Sequence, residues 1–455
     1  MDLKDIGLFV ANRGEIAVRI GRAARGLGME VIQAHSAADA EMLAVKEADR
    51  AVEIGPPQAS KSYLNIEAVV AAAKESGARA VHPGYGFLSE NADFAQAVEA
   101  AGLVFVGPKP ETIRRMGDKA AARAAAQAAG VPTAPGSDGR IGDAAAAVAL
   151  ADSIGYPVMI KAASGGGGRG IRVAETADEL GPLIPQAQME ARAAFGDDGL
   201  YLERMIRDAR HVEVQIMGDG TRAVHYFERE CSLQRRRQKV WEEAPAACLD
   251  ETTRQALCAS AVRMAETVGY RGAGTLEYLY EPATGQFFFM EMNTRIQVEH
   301  PVSEEVTGAD LIAEMIRVAF GASLSKTQDE IVRCGHAIEV RVNAEDPSNN
   351  FMPFPGAVTG LSIPQDVRFD HMLYEGYAIP PFYDSLLGKL IVRGDDRADA
   401  LTKLRAALAA IKIDGVTTTL PLYSALAEDP EVVAGRAHTR WLESWLETNP
   451  ITPGR

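Results

Sequence analysis

IGLFVANRGEIAVRIGRAARG, residues 6–26, decides the fold of the first part of the chain. Its first six residues are apolar, as in a buried β-strand, and Glu15 to Gly26 has the spacing of an amphipathic helix. Strand-like and helix-like segments continue to alternate through the first hundred-odd residues, which predicts a doubly wound, Rossmann-like α/β domain. The turn at 12–15 lacks GxGxxG, so the sequence does not predict NAD binding.

The remaining chain reads as α+β. An Ala-rich helix is predicted from Lys119 to Ala129, and a Gly-rich segment, a helix near 176–195 and strands through 200–217 indicate a small inserted unit that can act as a lid. Strand-like runs follow at 222–228, 273–280 and 286–292. A strand at 338–342 and a helix at 398–411 predict a third α+β domain. With 455 residues, roughly three domains are expected.

Composition excludes several classes of function. The chain has 47 Lys+Arg against 62 Asp+Glu and a net charge of −15, which opposes binding to nucleic acid or anionic lipid. No segment is apolar for long enough to span a membrane, and the N-terminus does not resemble a secretory signal. The four cysteines lack disulfide or zinc spacing, so reduced thiols and a cytoplasmic location are expected.

The Gly-rich run Gly165 to Gly170 follows a predicted strand that ends at Lys161. Successive glycines allow backbone N–H groups to surround phosphate oxygens, although the same composition is typical of a flexible loop. The spacing is not that of a P-loop. Lys161 favours the phosphate cradle, because its ammonium can neutralise phosphate charge. Lys119 can serve the same purpose or be an ordinary solvated lysine.

Two carboxylates are predicted to face each other across a hairpin. GTLEYLY at 274–280 and FFFMEMN at 287–293 flank a Pro/Gly turn, and a regular hairpin centred near Thr284 places Glu277 opposite Glu291. Opposed like charges are destabilising, so the pair calls for a cation, and Mg²⁺ suits oxygen ligands. The alternative is that both acids point to water or pair with arginines.

Polar residues continue past this hairpin at every second position. If the chain stays extended, Asn293, Arg295, Gln297 and Glu299 share one side. That edge suits a small anionic oxygen substrate, with Arg295 binding it and Glu299 removing a proton. A solvated polar edge is the alternative, and His300 is predicted to be structural.

Positive charge is concentrated in ERECSLQRRRQK at 228–239. A solvated face or an RNA-binding patch is the usual meaning of such a run, and the acidic total disfavours RNA. An anion pocket beside the hairpin fits better. Arg235, Arg236 and Arg237 cannot all point inward from so short a stretch, so at least one is expected at the surface.

Taken together, VANRGEIA at 10–17, HPGYGFLSEN at 82–91, MGDK at 116–119, GGGGRG at 165–170 and EMNTRIQVEHPV at 291–302 closely resemble the biotin carboxylase family of the ATP-grasp superfamily. The resemblance covers essentially the whole chain. It implies a Rossmann-like N-terminal domain at 1–115, an ATP-grasp domain at 116–332 with a mobile lid at about 134–204, and a C-terminal biotin carboxylase α+β domain at 333–447.

The resemblance also implies roles for individual residues. It assigns ATP contacts to Lys119, Lys161, Gly166, Gly167, Gly168, Glu203, Arg204, Ile206, His211, Gln234, Arg237, Glu277 and Glu291. It assigns Mg²⁺ or Mn²⁺ to Glu277, Glu291 and Asn293, and bicarbonate to Lys239, Arg295, Gln297, the backbone of Val298, and Glu299 as the base. Arg341 resembles the arginine that stabilises the biotin enolate. The catalytic group is then Glu299, Arg341, Lys239 and Arg295.

The implied reaction is carboxylation of biotin through carboxyphosphate, the first half-reaction of a biotin-dependent carboxylase. The chain contains no Ala-Met-Lys-Met biotin attachment motif, so its partners are expected to act in trans. The resemblance implies a homodimer working with a biotin carboxyl carrier protein and a carboxyltransferase. Acetyl-CoA is the default final acceptor; propionyl-CoA, another acyl-CoA and pyruvate remain alternatives. A different ATP-grasp ligase would lack a reason for the RIQVEH arrangement and Arg341, and a nonenzymatic nucleotide-binding subunit would not need the catalytic group.

Two positions depart from the family pattern. Arg237 stands where a histidine is common, and Trp241 replaces the usual aliphatic residue after Val240. The first departure bears on ribose contacts and the second on packing. Neither position belongs to the implied base or metal ligands.

Overall fold

The computed structural model describes residues 3–137, 139–141, 143–162 and 171–452. The chain divides into two compact units. The larger comprises Met1–Val131, Arg210–Tyr278 and Glu291–Arg455, and the smaller comprises Pro132–Ala209 and Leu279–Met290. The predicted Gly166, Gly167 and Gly168 contacts lie outside the described residues.

The first part of the larger unit is a parallel α/β sheet. Its strands are β1 (Gly7–Val10), β2 (Glu30–Ser36), β3 (Arg50–Gly55), β4 (Ala80–His82) and β5 (Val104–Phe105), and its helices are α1 (Gly14–Gly26), α2 (Leu43–Glu47), α3 (Ile66–Glu75), α4 (Ala92–Ala100), α5 (Pro110–Gly117) and α6 (Lys119–Ala128). The strand order is β3-β2-β1-β4-β5, with every pair parallel. Leu8 and Val10 enter one core and Phe9 the other, so the sheet is buried on both faces, as predicted.

Two turns meet at the carboxyl ends of β1 and β4. Asn12 donates hydrogen bonds to the carbonyls of Pro83 (2.6 Å) and Tyr85 (2.8 Å). Gly84 lies between them at φ +64°, and a Cβ there would stand 2.8 Å from the Asn12 amide nitrogen. Neighbouring parallel strands end at the same edge of a sheet, which is where ligand sites of such folds form.

The smaller unit has the predicted α+β composition, but residues 210–217, which the prediction included, belong to the larger unit. It contains α7 (Ala144–Ile154), β6 (Val158–Ala162), β7 (Ile171–Ala174), α8 (Ala177–Phe195) and β8 (Leu200–Arg204). The strands form an antiparallel sheet in the order β7-β6-β8. Ile160, Leu180 and Leu202 belong to its core, in which both helices pack against the sheet.

The remaining strands and helices include those of an eight-stranded sheet. They are β9 (Arg210–Asp219), β10 (Ala223–Arg235), β11 (Gln238–Ala244), α9 (Glu251–Thr267), β12 (Arg271–Glu281), β13 (Gln286–Asn293), α10 (His300–Thr307), α11 (Leu311–Ala319), β14 (His336–Asn343), β15 (Glu345–Asp346), β16 (Met352–Pro353), β17 (Gly360–Ser362), β18 (Arg368–His371), β19 (Leu386–Gly394), α12 (Arg397–Ala410), β20 (Lys412–Asp414), α13 (Leu420–Leu426), α14 (Pro430–Val433) and α15 (Trp441–Thr448). The strand order is β13-β12-β9-β10-β11-β14-β19-β18, with small pairs β15-β16 and β17-β20. The predicted hairpin is thus formed by β12 and β13.

Within the described ranges, no helix has the length and apolarity needed to cross a membrane. All four cysteines fall inside these ranges and are unbridged.

Candidate active site

A cavity of about 650 Å³ opens in the larger unit. Its wall brings together most of the residues that the sequence singled out: His211, Arg237, Lys239, Glu277, Glu291, Asn293, Arg295, Gln297, Val298, Glu299 and Arg341. They come from separate strands and from the segment before α10, so it is the pairing of the strands in the sheet that brings these side chains together.

Lys239 is the central cation of this cavity. Its Nζ donates to Oε1 of Glu277 and Oε1 of Glu299, each at 2.7 Å, and to Glu213. Burial opposes its charge, but the three carboxylates outweigh burial and raise the pKa of Lys239 well above its ordinary value. A single ammonium therefore bridges the predicted metal ligand and the predicted base.

Glu299 is held ionised. It is 2% exposed, and its Oε2 lies 3.1 Å from the guanidinium of Arg341 while Lys239 occupies Oε1. Burial acts to raise its pKa, but the charges of Lys239, Arg341 and Arg229 prevail and hold the pKa of Glu299 below its usual range. A carboxylate in this state can accept a proton from a bound substrate.

The segment after β13 does not stay extended, contrary to the prediction. The strand ends at Asn293, the chain bends at Arg295, and a turn at 298–299 leads into α10. The side chains nevertheless meet, because Asn293 and Gln297 each donate 3.0 Å hydrogen bonds to Oε1 of Glu277. Past the end of β13, backbone groups that no longer pair with a neighbouring strand bond to side chains instead, as the Thr294 N–H does with Glu90.

Arg295 is fixed by a residue that the residue-level prediction missed. Its Nε donates to Oε2 of Glu90 (2.9 Å), and its terminal nitrogen donates to Oδ1 of Asn293 (3.0 Å). Glu90 also accepts the backbone N–H of Thr294 at 3.0 Å. Its membership of the HPGYGFLSEN motif was the available signal.

Three other groups at or beside the cavity were missed: Lys389, Glu15 and Tyr85. Lys389 on β19 is completely buried and donates to the carbonyl of Val298, and it lies 3.3 Å from Oε2 of Glu15. The phenol of Tyr85 donates to the other oxygen of Glu15. Glu15 and Tyr85 belong to the motifs at 10–17 and 82–91, which was the available signal, whereas nothing in the sequence singled out Lys389.

Arg341 on β14 has a second carboxylate partner. Its Nε donates to Oε1 of Glu242 on β11 at 2.7 Å. The charges of Glu242 and Glu299 outweigh burial and raise the pKa of Arg341. The guanidinium is therefore fixed between two acids on one side of the sheet.

His211 and Gln234 form a hydrogen-bonded pair. Gln234 Nε2 donates to Nδ1 of His211 at 2.8 Å, which leaves the ring proton on Nε2, 3.1 Å from Oε2 of Glu277. The neighbouring strand register places Gln234 beside Lys239. These two predicted nucleotide residues are thus close to the central cation.

The arginine run divides as expected. Arg236 is exposed and does not line the cavity, whereas Arg235 and Arg237 both line it; Arg235 also stacks 3.7 Å above the ring of Phe351, and Arg237 is exposed. Trp241 is buried and donates to Oε1 of Glu243 at 2.8 Å, outside the cavity wall. Its departure from the family pattern affects packing.

Four other predicted nucleotide residues lie in the smaller unit. Lys161 forms an ion pair with Glu203, and Arg204 pairs with Glu281 at 3.0 Å. Ile206 is buried with Ala209 and Phe288. Lys119, in the larger unit, begins α6 and is exposed.

The acidic residues at the hairpin fit a divalent cation. Burial and the charge of Glu277 raise the pKa of Glu291, and Lys119 only partly opposes them. Glu277, Glu291 and the Asn293 amide supply the hard oxygen donors that Mg²⁺ prefers. The register between Glu277 and Glu291 stays a prediction.

Family models match almost the entire chain. "Biotin carboxylase, N-terminal domain" matches residues 6–113, "Carbamoyl-phosphate synthase L chain, ATP binding domain" matches 118–327, and "Biotin carboxylase C-terminal domain" matches 339–444. The chain belongs to the biotin carboxylase family. It is an ATP-dependent ligase that carboxylates biotin, and its fold is the predicted combination of Rossmann-like, ATP-grasp and C-terminal α+β parts. The predicted domain boundaries and lid limits stay predictions.

Known proteins of this family are similar over nearly their full length. Biotin carboxylase of Pseudomonas aeruginosa is 51% identical over 443 residues, covering 96% of this chain and 98% of the relative. The biotin carboxylase–beta-gamma-ATP complex of Campylobacter jejuni has a TM-score of 0.89 at 44% identity, covering 97% of this chain and 99% of that one. The biotin carboxylase domain dimer of Hydrogenobacter thermophilus 2-oxoglutarate carboxylase, bound to MgADP, ADP and bicarbonate, has a TM-score of 0.87 at 42% identity and covers 99% of both chains.

Proposed function

We propose that this chain catalyses the first half-reaction of a biotin-dependent carboxylase, using ATP, Mg²⁺ and bicarbonate to carboxylate biotin on a carrier protein. The observation that carries the proposal is the placement of Glu299 between Lys239 at 2.7 Å and Arg341 at 3.1 Å. An ionised, buried carboxylate between two cations suits a base that acts on a small anion.

Bicarbonate is assigned to the pocket around this base. Arg295 offers a guanidinium that Glu90 holds in place, and Lys239, Gln297 and the Val298 backbone complete the site. Glu299 takes the bicarbonate proton, and the freed oxygen attacks the γ-phosphorus of ATP. ADP leaves, and the product is carboxyphosphate.

Positive charge on the protein stabilises this transfer. Lys239 and Arg295 neutralise the carbonate oxygens, and Mg²⁺ held by Glu277, Glu291 and Asn293 would offset charge on the phosphates. Breakdown of carboxyphosphate supplies CO₂ and a phosphate base for biotin. Arg341 is assigned to the biotin enolate, and its bonds to Glu242 and Glu299 aim it into the same cavity.

The remaining nucleotide contacts stay predictions from the resemblance. They are Lys119, Lys161, Gly166, Gly167, Gly168, Glu203, Arg204, Ile206, His211, Gln234 and Arg237. The pairing of His211 with Gln234 beside Glu277 supports two of them.

A biotin carrier is the partner that the chemistry requires. We assign it to a separate biotin carboxyl carrier protein, with a separate carboxyltransferase and a homodimer of this chain, in the cytoplasm. Acetyl-CoA is the acceptor we assign. The similarity to both a bacterial biotin carboxylase and a 2-oxoglutarate carboxylase domain makes propionyl-CoA, other acyl-CoAs and 2-oxo acids such as pyruvate the alternatives.

ATP hydrolysis by the purified chain tests the proposal. Hydrolysis should require bicarbonate and Mg²⁺ and increase when free biotin is added. An ATP-grasp ligase for another substrate would hydrolyse ATP without regard to bicarbonate or biotin, which would reject the assignment. Copurification of the partner subunits, followed by carboxylation assays with acetyl-CoA, propionyl-CoA and pyruvate, identifies the acceptor.

A further inference from the structure

Two glutamates oppose each other behind the cavity. Glu242 on β11 and Glu339 on β14 are direct partners in an antiparallel ladder, and both are completely buried. Directly opposed side chains have Cβ atoms roughly 5 Å apart, and two like charges at that separation destabilise a sheet. One of the two carboxyls must therefore be neutral.

Three of their four oxygens lack a donor. Oε1 of Glu242 accepts from Arg341. Oε2 of Glu242 and both oxygens of Glu339 receive no hydrogen bond from any part of the chain that the structure describes. Buried polar atoms are almost always paired, so these orphaned oxygens call for a proton between them.

The next residue on β11 provides a contrast. Glu243 points to the opposite face of the sheet, where His336 (2.9 Å) and Arg397 (2.6 and 2.8 Å) contact it. These partners outweigh burial and lower the pKa of Glu243. Glu243 on one face of the β11–β14 pair therefore has cationic partners. Glu242 and Glu339 on the other face have unpaired oxygens.

We infer that Glu339 carries a proton and donates it to Oε2 of Glu242, and that this carboxyl–carboxylate pair positions Arg341 for reaction. Glu242 is then an anion with both oxygens satisfied, one by Arg341 and one by Glu339. Arg341 in turn contacts Glu299. Glu242 and Glu339 act through the arginine and are positioning residues.

Burial agrees with this assignment. It raises the pKa of Glu339 well above its ordinary value, although Lys389 and Arg341 oppose the shift, and the negative charges of Glu242 and Glu299 add to it. Lys389 is the diagonal neighbour on β19, where Ile391 is the direct partner of Glu339. This direction supports the protonated Glu339 that the unpaired oxygens call for.

Other groups around the pair explain which of the two ionises. Burial is the main cause that raises the pKa of Glu242, to about 7, with Glu299 adding to it and Arg341 and Lys239 opposing. Helix α10 packs on this face through Val302 and Val306. His300 at its start is uncharged, because burial and nearby cations lower its pKa well below the ordinary value. Of the two acids, Glu242 loses its proton first.

The expected effect on activity rests on the proposed function. The shared proton can be tested independently of that function by infrared spectroscopy. At about pH 8, where ordinary carboxyls are ionised, the wild-type difference spectrum against Glu339→Gln should contain the C=O stretch of a protonated carboxyl, with a shift in D₂O. Absence of that band overturns the inference, whatever the chain catalyses.

Matched substitutions test the positioning role. The amide of Glu339→Gln can donate to Glu242 as the protonated acid does, so biotin-stimulated turnover should stay within about threefold of wild type. Glu339→Leu is similar in size but leaves Glu242 Oε2 unpaired, and turnover should fall by about tenfold or more. Glu242→Gln should remove the activity limb that rises as pH passes through about 7. Glu375→Gln, at an exposed position, serves as the control.

Each outcome is decisive. Turnover in Glu339→Gln that is as impaired as in Glu339→Leu, or an unchanged pH limb in Glu242→Gln, overturns the positioning role. If Glu339→Leu does not fold, the infrared band and the other two variants still decide. Wild-type protein that hydrolyses ATP without need for bicarbonate refutes the proposed function, while the infrared band continues to test the shared proton.

Discussion

Nζ of Lys389 donates a 2.7 Å hydrogen bond to the main-chain carbonyl of Val298, 91 residues earlier in the chain. Lys389 is completely buried, so this bond fixes the turn that carries the predicted bicarbonate contacts and the base. Its charge is offset by Glu15, which in turn accepts from Tyr85. Residues from β19, from the first turn of α1 and from the turn after β4 thus support one short segment.

We expect Lys389→Met to weaken bicarbonate binding. Without the ammonium, the Val298 peptide loses its orientation, and residues that orient ligands typically change affinity by about 10- to 100-fold when removed. The KM for bicarbonate should rise by about tenfold while the KM for ATP changes little. Lys74→Met, at an exposed position of α3, is the matched control. A folded Lys389→Met protein with an unchanged bicarbonate KM would contradict the role.

We expect Glu299→Gln to abolish biotin-dependent turnover. The amide fills the same space but cannot accept the bicarbonate proton, and loss of a general base costs about 10²- to 10⁴-fold. ATP binding, measured by calorimetry or fluorescence, should remain. Glu375→Gln should behave as wild type. Retained turnover in Glu299→Gln would reject Glu299 as the base.

We expect Glu291→Gln to weaken the divalent metal site. One carboxylate of the predicted ligand set becomes a neutral amide, so Mn²⁺ affinity in the presence of ADP should fall by about tenfold, a loss of about 1.4 kcal/mol. Paramagnetic resonance of free Mn²⁺ measures this without any turnover. Glu75→Gln on α3 provides an exposed control. Equal Mn²⁺ affinity in both variants would remove Glu291 from the ligand set.

We expect Arg397→Met to alter stability in a pH-dependent way. The pKa of Glu243 is lowered in the folded protein, so its stabilising contribution is complete above the ordinary value of 4.5 and is lost as pH falls through the lower folded value. Removing Arg397 leaves Glu243 with the Trp241 indole and His336 but without its guanidinium partner, and the free energy of unfolding at about pH 7 should fall by about 2 kcal/mol.

Urea denaturation over a series of pH values measures this effect. The difference between wild type and Arg397→Met should shrink as pH decreases below about 4.5, because protonated Glu243 no longer needs the arginine. Lys412→Met, at an exposed site in the same part of the chain, is the control. A difference that grows toward acid pH would show that the ion pair does not cause the stabilisation.

Local patterns in the sequence predicted much of the fold. The apolar run and the helical spacing in residues 6–26 identified β1 and α1, and the turn between 281 and 286 identified the β12–β13 hairpin. These predictions succeed because hydrophobic periodicity and turn residues act over a few neighbouring positions. Glu277 and Glu299 could also be named from their residue types and spacing, and Arg341 from the family resemblance.

The sequence by itself determined the elements, the family and the residues that carry charge, and the tertiary structure decided how those charges are paired. The prediction that the chain stays extended past Asn293 was wrong, although the side chains it grouped do cluster. Sheet register and the start of α10 bring Gln297 to Glu277 and Glu299 to Lys239. The partnerships of Lys389 with Val298 and of Glu242 with Glu339 join residues about 90 to 100 positions apart. Burial makes such pairs strong, and burial is a property of the packed sheets that no short stretch of sequence contains.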